Sequence, residues 1–439
     1  MQPRHQRFAV LSTLAATLGL AANAQAVLVN STWNGGGASW QDGSRGTPNA
    51  QFPNNGNGGD TYNATVNAGL ATLNANVTLE NLLLTNGGIS LNTHMLLINQ
   101  IFGWTGGTLA GPGTIEATGG MQISGAADKF INNSLVVNDT TVTLNGTGAL
   151  RGVAASYENN VGGTFDILSD ASILQSGGAF DYVNKGKFRK VGGAGTSTVS
   201  ALVNNTGSVE ARSGTLSLTQ APTQVAGNTL TGGTWIAAGA TLEIQGVSLD
   251  TLGAGTVVTF DGAGSTFAAV DGVSDNQGEI NMLNGAVYSN TAGTLTNQNL
   301  ITLDGGRLNG NDLVNSAVLQ GLNGDDRIDV SSLTNNGLFD LGLGSNTLNV
   351  TNTFNNGGMA TLTNTGGTIG DIDNQFLATL DVVGGNLNVG GISNDGQMTI
   401  TDSTVTASGH VSNDTSATLT VDQSTLNANS LSNDGDLEV

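Results

Sequence analysis

Cysteine is absent from this chain of 439 residues, and charged residues make up only 10% of it. Without cysteine the fold cannot be a disulfide scaffold, even in a compartment that would permit one. Lysine and glutamate, which favour helices, are scarce. Beyond the first residues, no segment approaches the about 20 apolar residues of a spanning helix. These absences exclude disulfide-rich, helical and helix-anchored membrane proteins.

Positive charge is also scarce, since 33 acidic residues face 12 basic ones, for a net charge of −21. Such a surface repels phosphate backbones, so nucleic acid is not an expected partner. Beyond the N-terminal leader the chain has only two histidines, His94 and His410, far apart in the sequence. We therefore predict no catalytic triad and no histidine-rich metal site.

Residues 1–26 have the three parts of a secretory signal peptide. Arg4 and Arg7 supply a positive start, residues 8–20 form a short apolar stretch, and Ala22, Ala24 and Ala26 offer small-residue cleavage sites. The apolar stretch is too short to span a bilayer. We expect a bacterial protein that is secreted or displayed on the outer cell surface after the leader is cleaved.

A short phrase recurs along the chain: an asparagine, a variable residue, usually a glycine, and then alternating apolar positions. The spacings between successive lead asparagines are 21, 18, 20, 20, 19, 20, 19 and 20 residues. The nine leads are Asn276, Asn297, Asn315, Asn335, Asn355, Asn374, Asn394, Asn413 and Asn433. Earlier members are Asn160, Asn184 and Asn205. A fixed period of this length indicates a stacked repeat architecture.

The segments after these phrases alternate apolar and polar residues with period two, which is typical of strands with one buried side. About twenty residues with two or three strands form one coil of a β-solenoid. We therefore predict an all-β, right-handed parallel β-helix of on the order of 20 coils, near 95 Å long at strand spacing. An antiparallel sandwich and disorder are the alternatives, and neither explains the sustained period.

The lead asparagines have two interpretations. Stacked one per coil at a turn, their amides would hydrogen-bond along the rod as a ladder. Alternatively they could bind a ligand, although turn chemistry already accounts for their spacing.

Segments 188–193, 204–209, 213–216 and 230–235, with the entry segment 33–62, resemble bacterial exported β-helix proteins of the autotransporter-passenger and sorting-tagged surface types. The resemblance covers most of the chain but rests on repeat phrases. It implies a right-handed parallel β-helix with an adhesive or matrix-forming role at or beyond the cell surface. Such proteins commonly end in a membrane domain or a sorting tail, and these residues contain neither.

The predicted organisation is a signal peptide (1–26), a capping segment rich in Gly, Asn and Trp (27–62), and a solenoid (63–439). The sequence stops at Val439 within an alternating segment. An uncovered last coil would leave an open strand edge. We therefore expect a longer protein, or a second chain that caps the end.

The best candidate for a binding or catalytic cluster is acidic: Asp325, Asp326 and Asp329 with Arg327, and Asp312 and Asp340 about one coil away on either side. Period two places Arg327 and Asp329 on one outer face. The pair could polarise a sugar acid or hold a cation, or it could be a solvated face beside a turn. The Gly-x-Asp pattern also resembles calcium-binding repeats, but the nine-residue register is missing, so calcium is a minor expectation.

Two further candidates are a basic segment and an aromatic one. Lys185, Lys187 and Arg189 would share one outer face that could dock an acidic polysaccharide, or simply be solvated. Trp33 and Trp40, with Phe52 nearby, could stack on sugar rings or form the apolar lid of the first coil.

These observations favour a non-enzymatic structural or adhesive protein that contacts glycans, extracellular matrix or another cell, with no cofactor. A polysaccharide lyase or hydrolase on a β-helix is one alternative. A stalk that presents a further C-terminal domain is the other. The sequence leaves the oligomeric state open.

Overall fold

A computed structural model describes residues 26–33, 35–47 and 51–439. Most of the predicted signal peptide, residues 1–25, lies outside the described residues. The structure is all-β, with 58% of residues in strands. Helix in the described residues is limited to three short 3-10 turns, Gly43–Arg45, Asn57–Gly59 and Ala268–Val270. None of these turns is long or apolar enough to cross a membrane.

The N-terminal half of the solenoid contains 26 strands in chain order. They are β1 (Leu28–Trp33), β2 (Gly37–Ser39), β3 (Gly46–Thr47), β4 (Thr61–Val66), β5 (Leu70–Thr72), β6 (Val77–Leu79), β7 (Asn81–Leu84), β8 (Gly88–Ser90), β9 (Met95–Ile98), β10 (Phe102–Trp104), β11 (Gly107–Ala110), β12 (Thr114–Ala117), β13 (Met121–Ile123), β14 (Lys129–Asn132), β15 (Leu135–Asn138), β16 (Thr141–Leu144), β17 (Leu150–Val153), β18 (Ala155–Asn159), β19 (Thr164–Ile167), β20 (Ile173–Gln175), β21 (Phe180–Asn184), β22 (Lys187–Lys190), β23 (Thr196–Val199), β24 (Leu202–Asn205), β25 (Ser208–Ala211) and β26 (Thr215–Leu218).

The C-terminal half continues with strands that lengthen toward the end of the chain. They are β27 (Val225–Ala226), β28 (Thr229–Leu230), β29 (Gly233–Ala238), β30 (Thr241–Ile244), β31 (Thr251–Leu252), β32 (Thr256–Asp261), β33 (Asp275–Asn276), β34 (Glu279–Leu283), β35 (Val287–Ser289), β36 (Thr294–Asn297), β37 (Leu300–Asp304), β38 (Arg307–Asn309), β39 (Asp312–Asn315), β40 (Val318–Gly321), β41 (Arg327–Val330), β42 (Ser332–Asn335), β43 (Leu338–Leu341), β44 (Asn346–Asn356), β45 (Met359–Thr363), β46 (Thr365–Asn374), β47 (Thr379–Val383), β48 (Asn386–Asn394), β49 (Gln397–Thr401), β50 (Thr404–Asn413), β51 (Thr418–Asp422), β52 (Thr425–Asn433) and β53 (Asp436–Glu438).

These strands form long sheets that run along the rod. A 21-stranded sheet, which we call the first face, runs along the rod from β1 to β53 and includes β3 as an antiparallel partner of β1. In the N-terminal half, a 10-stranded sheet and a 7-stranded sheet complete the coil. A 15-stranded sheet, the second face, begins at β27 and takes the place of both once the 10-stranded sheet has ended at β30. From β44 onward, a single strand of 9 to 11 residues per coil spans that face.

The register between coils keeps apolar side chains stacked inside. Phe165, Phe188 and Val209 are direct partners on three consecutive coils, and all three are buried. Tyr157 and Tyr182 are partners as well, with ring centroids 5.1 Å apart. Because parallel pairing in register stacks apolar side chains of one coil on apolar side chains of the next, each coil buries the apolar side of its neighbour.

The predicted parallel β-solenoid is confirmed. The structure has about 18 turns, with stacked coils about 21 residues apart. This gives a rod of roughly 85 Å at strand spacing, a little shorter than the sequence predicted. The right hand of the coil stays a prediction, which rests on the strong preference of parallel crossovers.

Strand stacking begins within the predicted capping segment. Strand β1 pairs in parallel with β4 over six residues, from Leu28 with Thr61 to Trp33 with Val66. Strand β3 pairs antiparallel with the end of β1, through Trp33 with Gly46. The entry segment therefore contributes a strand of its own to the first face, and two residues of β1 are covered by β3.

Candidate functional site

The recurrent asparagines form a hydrogen-bonded ladder inside the corner where the second face turns into the first. Asn335 shows the pattern: its Nδ2 donates to Asn356 Oδ1 at 2.8 Å and to the Met359 carbonyl at 2.9 Å. Its Oδ1 accepts from Asn315 Nδ2 at 2.8 Å. Each amide thus joins its own coil to the next and also satisfies a turn carbonyl. This supports the structural interpretation of the repeat phrase.

The prediction of Asn355 as a ladder residue is wrong. After Phe354 the strand carries two asparagines, and the ladder uses the second, Asn356, which donates to Asn374 Oδ1 at 2.8 Å. Asn355 faces outward and is half-buried. The two differ because adjacent residues of a strand point to opposite sides. The other eight predicted C-terminal members lie in the ladder, from Asn276 to Asn433.

A second ladder lies in the N-terminal half, where the same correction applies. Asn138, Asn159, Asn184 and Asn205 are linked by Nδ2 to Oδ1 distances of 2.7, 2.7 and 2.8 Å. Asn160, which we expected there, instead donates to Asp139 on the surface. Asn138, which Asp139 and Thr140 follow, was not among the predicted members.

The two ladders are separated by two coils with leucine at the ladder position. Leu230 pairs with Leu252, and Leu252 pairs with Asn276. Within the described part of the chain, the buried Asn276 Oδ1 has no hydrogen-bond partner, because Leu252 offers it no donor. This junction also holds the short antiparallel pair β27–β28 and the turn Ala268–Val270.

The acidic candidate cluster does not converge on one face. Asp326 points inward and is 1% exposed, whereas Asp325 is exposed and accepts from the Ser345 amide at 2.8 Å. Asp326 Oδ1 accepts from the amides of Gly305 and Gly306 at 2.8 and 3.3 Å. Its Oδ2 is buried and meets no partner among the described residues.

The surroundings of Asp326 perturb its titration. Burial raises its pKa to about 6, and the nearby Asp304 and Asp325 add to this rise, while the two glycine amides oppose it. The carboxyl occupies the space beside Gly321, where a Cβ would collide with Oδ2. Asp326 is therefore a buried residue with a raised pKa, and its carboxyl is not accessible from the outer face of the coil.

Asp329 is engaged with its neighbours on the outer face. Arg307 Nη2 and Arg327 Nε contact Asp329 Oδ2 at 2.7 and 2.6 Å, and Asn349 Nδ2 donates to Oδ1 at 2.7 Å. The predicted orientation is confirmed, with Arg327 and Asp329 outward and Ile328 inward. Asp312 and Asp340 lie on different sheets. Among the described residues no group of three or more acids or histidines could hold a metal ion.

The basic segment is also tied to acidic neighbours. Arg189 binds Asp166 with two hydrogen bonds of 2.7 and 2.8 Å, and this contact raises the pKa of the guanidinium. Lys185 lies in the bend before β22 and reaches Glu158 at 3.4 Å. Lys187 is exposed on the outer side of β22. The three bases therefore do not form a single uncompensated strand face.

Two lysines are buried at corners, which period-two reasoning did not reveal. Lys190 is fully buried, and its Nζ donates to the carbonyls of Ser169 and Gly192 and to Asp170 at 2.8 to 2.9 Å. Lys129 is also fully buried, and burial lowers its pKa. Alternation along β22 turns Lys190 inward next to the outward Arg189, but only the structure supplies the buried oxygens that its Nζ meets.

The aromatic candidates are in the core. Trp33 and Trp40 are 5% and 1% exposed, and their rings stack with centroids 6.1 Å apart. Trp40 Nε1 donates to the Pro53 carbonyl at 2.9 Å, and Phe52 packs against the core. In this arrangement neither indole offers an open face on which a sugar ring could stack.

No protein-family model, no curated protein sequence and no solved structure matches this chain. The resemblance to exported β-helix proteins therefore stays a prediction from the sequence.

Proposed function

We propose that this protein is an exported, non-enzymatic repeat protein with a structural or adhesive role at or beyond the bacterial cell surface. Its ligands would be glycans, extracellular matrix or another cell surface. The observation that carries the proposal is the uninterrupted stack of about 18 coils, which repeats outward side chains at strand spacing along a long rod.

The outer surface of the first face is suited to many weak contacts. Thr361, Asp381, Thr399 and Thr420 are register partners on four consecutive coils, and all lie on the outward side. Hydroxyl and carboxylate groups about 4.8 Å apart could hydrogen-bond to successive units of a polymer. Binding through many equivalent contacts gains strength from their number.

The geometry of the acidic cluster supports a binding role over catalysis. General acid-base cleavage of a sugar needs two carboxyls that face the same bond. Here Asp326 faces the interior and Asp329 is engaged by Arg307, Arg327 and Asn349. The repeat surface, not one groove, is then the functional part of the molecule.

Two experiments test this proposal. When the whole chain is expressed in a Gram-negative bacterium, it should leave the cytoplasm and lose residues 1–26, which mass spectrometry of the N-terminus would show. Cytoplasmic retention with an intact leader would contradict export.

Adhesion to glycan-coated or matrix-coated surfaces should fall stepwise as complete coils are removed. The matched control is Asp329→Asn, which should leave adhesion nearly unchanged. Release of reducing ends from a polysaccharide, or complete loss of adhesion with Asp329→Asn alone, would favour the enzyme alternative.

A further inference from the structure

One turn at the corner between the second and first faces exposes two large apolar side chains. It follows ladder residue Asn374 and joins β46 to β47. Phe376 is 63% exposed and Leu377 is 83% exposed. Met359, one coil earlier at the edge of the first face, is 60% exposed. Met359 is the register partner of Thr379, which follows the turn, so Met359, Phe376 and Leu377 lie at the same corner on adjacent coils. We call these three residues the corner patch.

The backbone of this turn is strained at Leu377, whose φ of 68° lies in the left-handed region. The equivalent turn after Asn159 closes with the same hydrogen bond but carries Gly162 there, with a φ of 88°. Residues with a side chain disfavour this conformation, because Cβ comes too close to the following carbonyl oxygen, whereas glycine adopts it readily. The turn therefore has both a strained backbone and exposed apolar side chains. Neither feature is needed to form the turn, since the equivalent turn closes with a glycine at this position.

The corner patch lies in a strongly acidic field. Asp373 precedes the turn in β46, Asp381 follows it in β47, and Asp395 occupies the turn one coil later. After Arg327 the sequence has no lysine or arginine. Partial desolvation raises the pKa of Asp395, and repulsion from Asp414 and Asp373 adds to it. The partner that complements an apolar patch in such a field is apolar and basic.

We propose that the corner patch is a docking site for a basic amphipathic segment of a protein partner. Phe376 and Leu377 enter apolar positions of the partner, and its lysines or arginines face Asp373, Asp381 and Asp395. A second copy of this chain would bring like charges together, and an anionic membrane would be repelled. The inference does not depend on the proposed export or on glycan binding, because it rests on the exposed apolar side chains of this turn and on a different class of ligand.

The test uses the whole chain and a short fluorescent peptide of alternating leucine and lysine, measured by anisotropy at about 0.1 M salt, where charges are screened beyond about 10 Å. The variant is Phe376→Ser with Leu377→Gly. We expect it to bind the peptide at least about tenfold more weakly, as for a hot spot. Asp373→Asn with Asp395→Asn should also weaken binding.

The matched control is Val161→Ser, which removes an apolar side chain that is 81% exposed in the equivalent turn. This turn lies near Lys185, and the control should bind the peptide like the unmodified chain. Because Leu377→Gly relieves strain, the paired variant should unfold at an equal or higher denaturant concentration, which separates lost binding from lost folding.

Three results would overturn the proposal. The first is equal peptide binding by the Phe376→Ser, Leu377→Gly variant. The second is equal binding of a peptide with serine in place of leucine, which would reduce the effect to charge alone. The third is loop-dependent binding to phosphatidylcholine vesicles without peptide binding, which would make the turn a membrane-inserting element.

Discussion

At the scale of single residues, the ladder asparagines concentrate stabilisation in one side chain per coil. An interior member such as Asn335 accepts one hydrogen bond and donates at least two inside a buried corner. Leaving a buried donor or acceptor unpaired costs more than an average hydrogen bond contributes. Ladder residues should therefore be far less tolerant of substitution than the exposed asparagines beside them.

We expect Asn335→Ala to lower the free energy of unfolding by about 2–4 kcal/mol, because it removes one acceptor of Asn315 Nδ2 and the donor to Asn356 Oδ1 and to the Met359 carbonyl. The matched control is Asn336→Ala at the adjacent, exposed position, with a change within about 0.5 kcal/mol. Urea denaturation followed by circular dichroism measures both. Equal effects of the two substitutions would contradict the ladder's role.

Asp326 should make stability depend on pH in an unusual direction. Its pKa is about 6 in the folded chain against an ordinary 3.8, so the folded state holds a proton that the unfolded state has released. The stability due to this group is full below about pH 4 and is lost as pH rises through about 6. The loss is on the order of 3 kcal/mol.

Asp326→Asn should remove this decline, because the amide does not titrate. Denaturation midpoints of both proteins between pH 4 and 8 give the comparison, and Asp312→Asn, at an exposed carboxylate, should keep the decline. If the unmodified chain and Asp326→Asn show parallel pH profiles, the buried carboxyl is not the cause.

At the scale of elements, the unit of this protein is the complete coil. Asn394 and Asn413 are register partners, as are Thr379 with Gln397 and Gln397 with Thr418. A coil makes its contacts mainly with the coils above and below, so removing one whole coil brings equivalent strands together. Removing part of a coil misaligns the apolar sides, since side chains alternate along each strand.

Deleting residues 395–413 should therefore leave a folded β-solenoid that is shorter by about 4.8 Å. Deleting residues 395–403, which include β49 but not β50, should abolish cooperative unfolding of the C-terminal coils. Far-ultraviolet circular dichroism and urea denaturation compare the two. A half-coil deletion as stable as the whole-coil deletion would argue against stacking by register.

At the scale of the whole molecule, charge is unevenly distributed along the rod. The 11 acids between residue 330 and the last residue, Val439, have no lysine or arginine among them. In the N-terminal half, by contrast, Arg189 binds Asp166, and Lys190 contacts Asp170 at 2.9 Å. Mutual repulsion should therefore destabilise mainly the C-terminal coils.

Raising the sodium chloride concentration should stabilise the protein, because screening weakens repulsion among surface carboxylates. Asp395→Asn with Asp414→Asn should reduce this gain, since these two carboxyls interact directly. The measurement is the denaturation midpoint across a salt series. An unchanged salt response in the double variant would show that repulsion between Asp395 and Asp414 does not cause the destabilisation at low salt.

The sequence alone determined the class of fold. A phrase near every twenty residues and alternation with period two permit few structures other than stacked parallel coils, because a coil cannot bury its apolar side alone. It also predicted eight of the nine C-terminal ladder residues. The ninth prediction named Asn355 in place of Asn356. The two adjacent asparagines have the same local sequence signal, and only the orientation of the strand shows which one points inward.

Only the tertiary structure decided which charges remain available. The acids near Asp326 and the bases near Arg189 look like open clusters in sequence, but their partners lie about twenty residues away on the neighbouring coil. Register sets those pairs, and it depends on turn lengths that vary from coil to coil. For the same reason Trp33 and Trp40 proved to be core residues, and the exposed apolar side chains were found at Phe376 and Leu377.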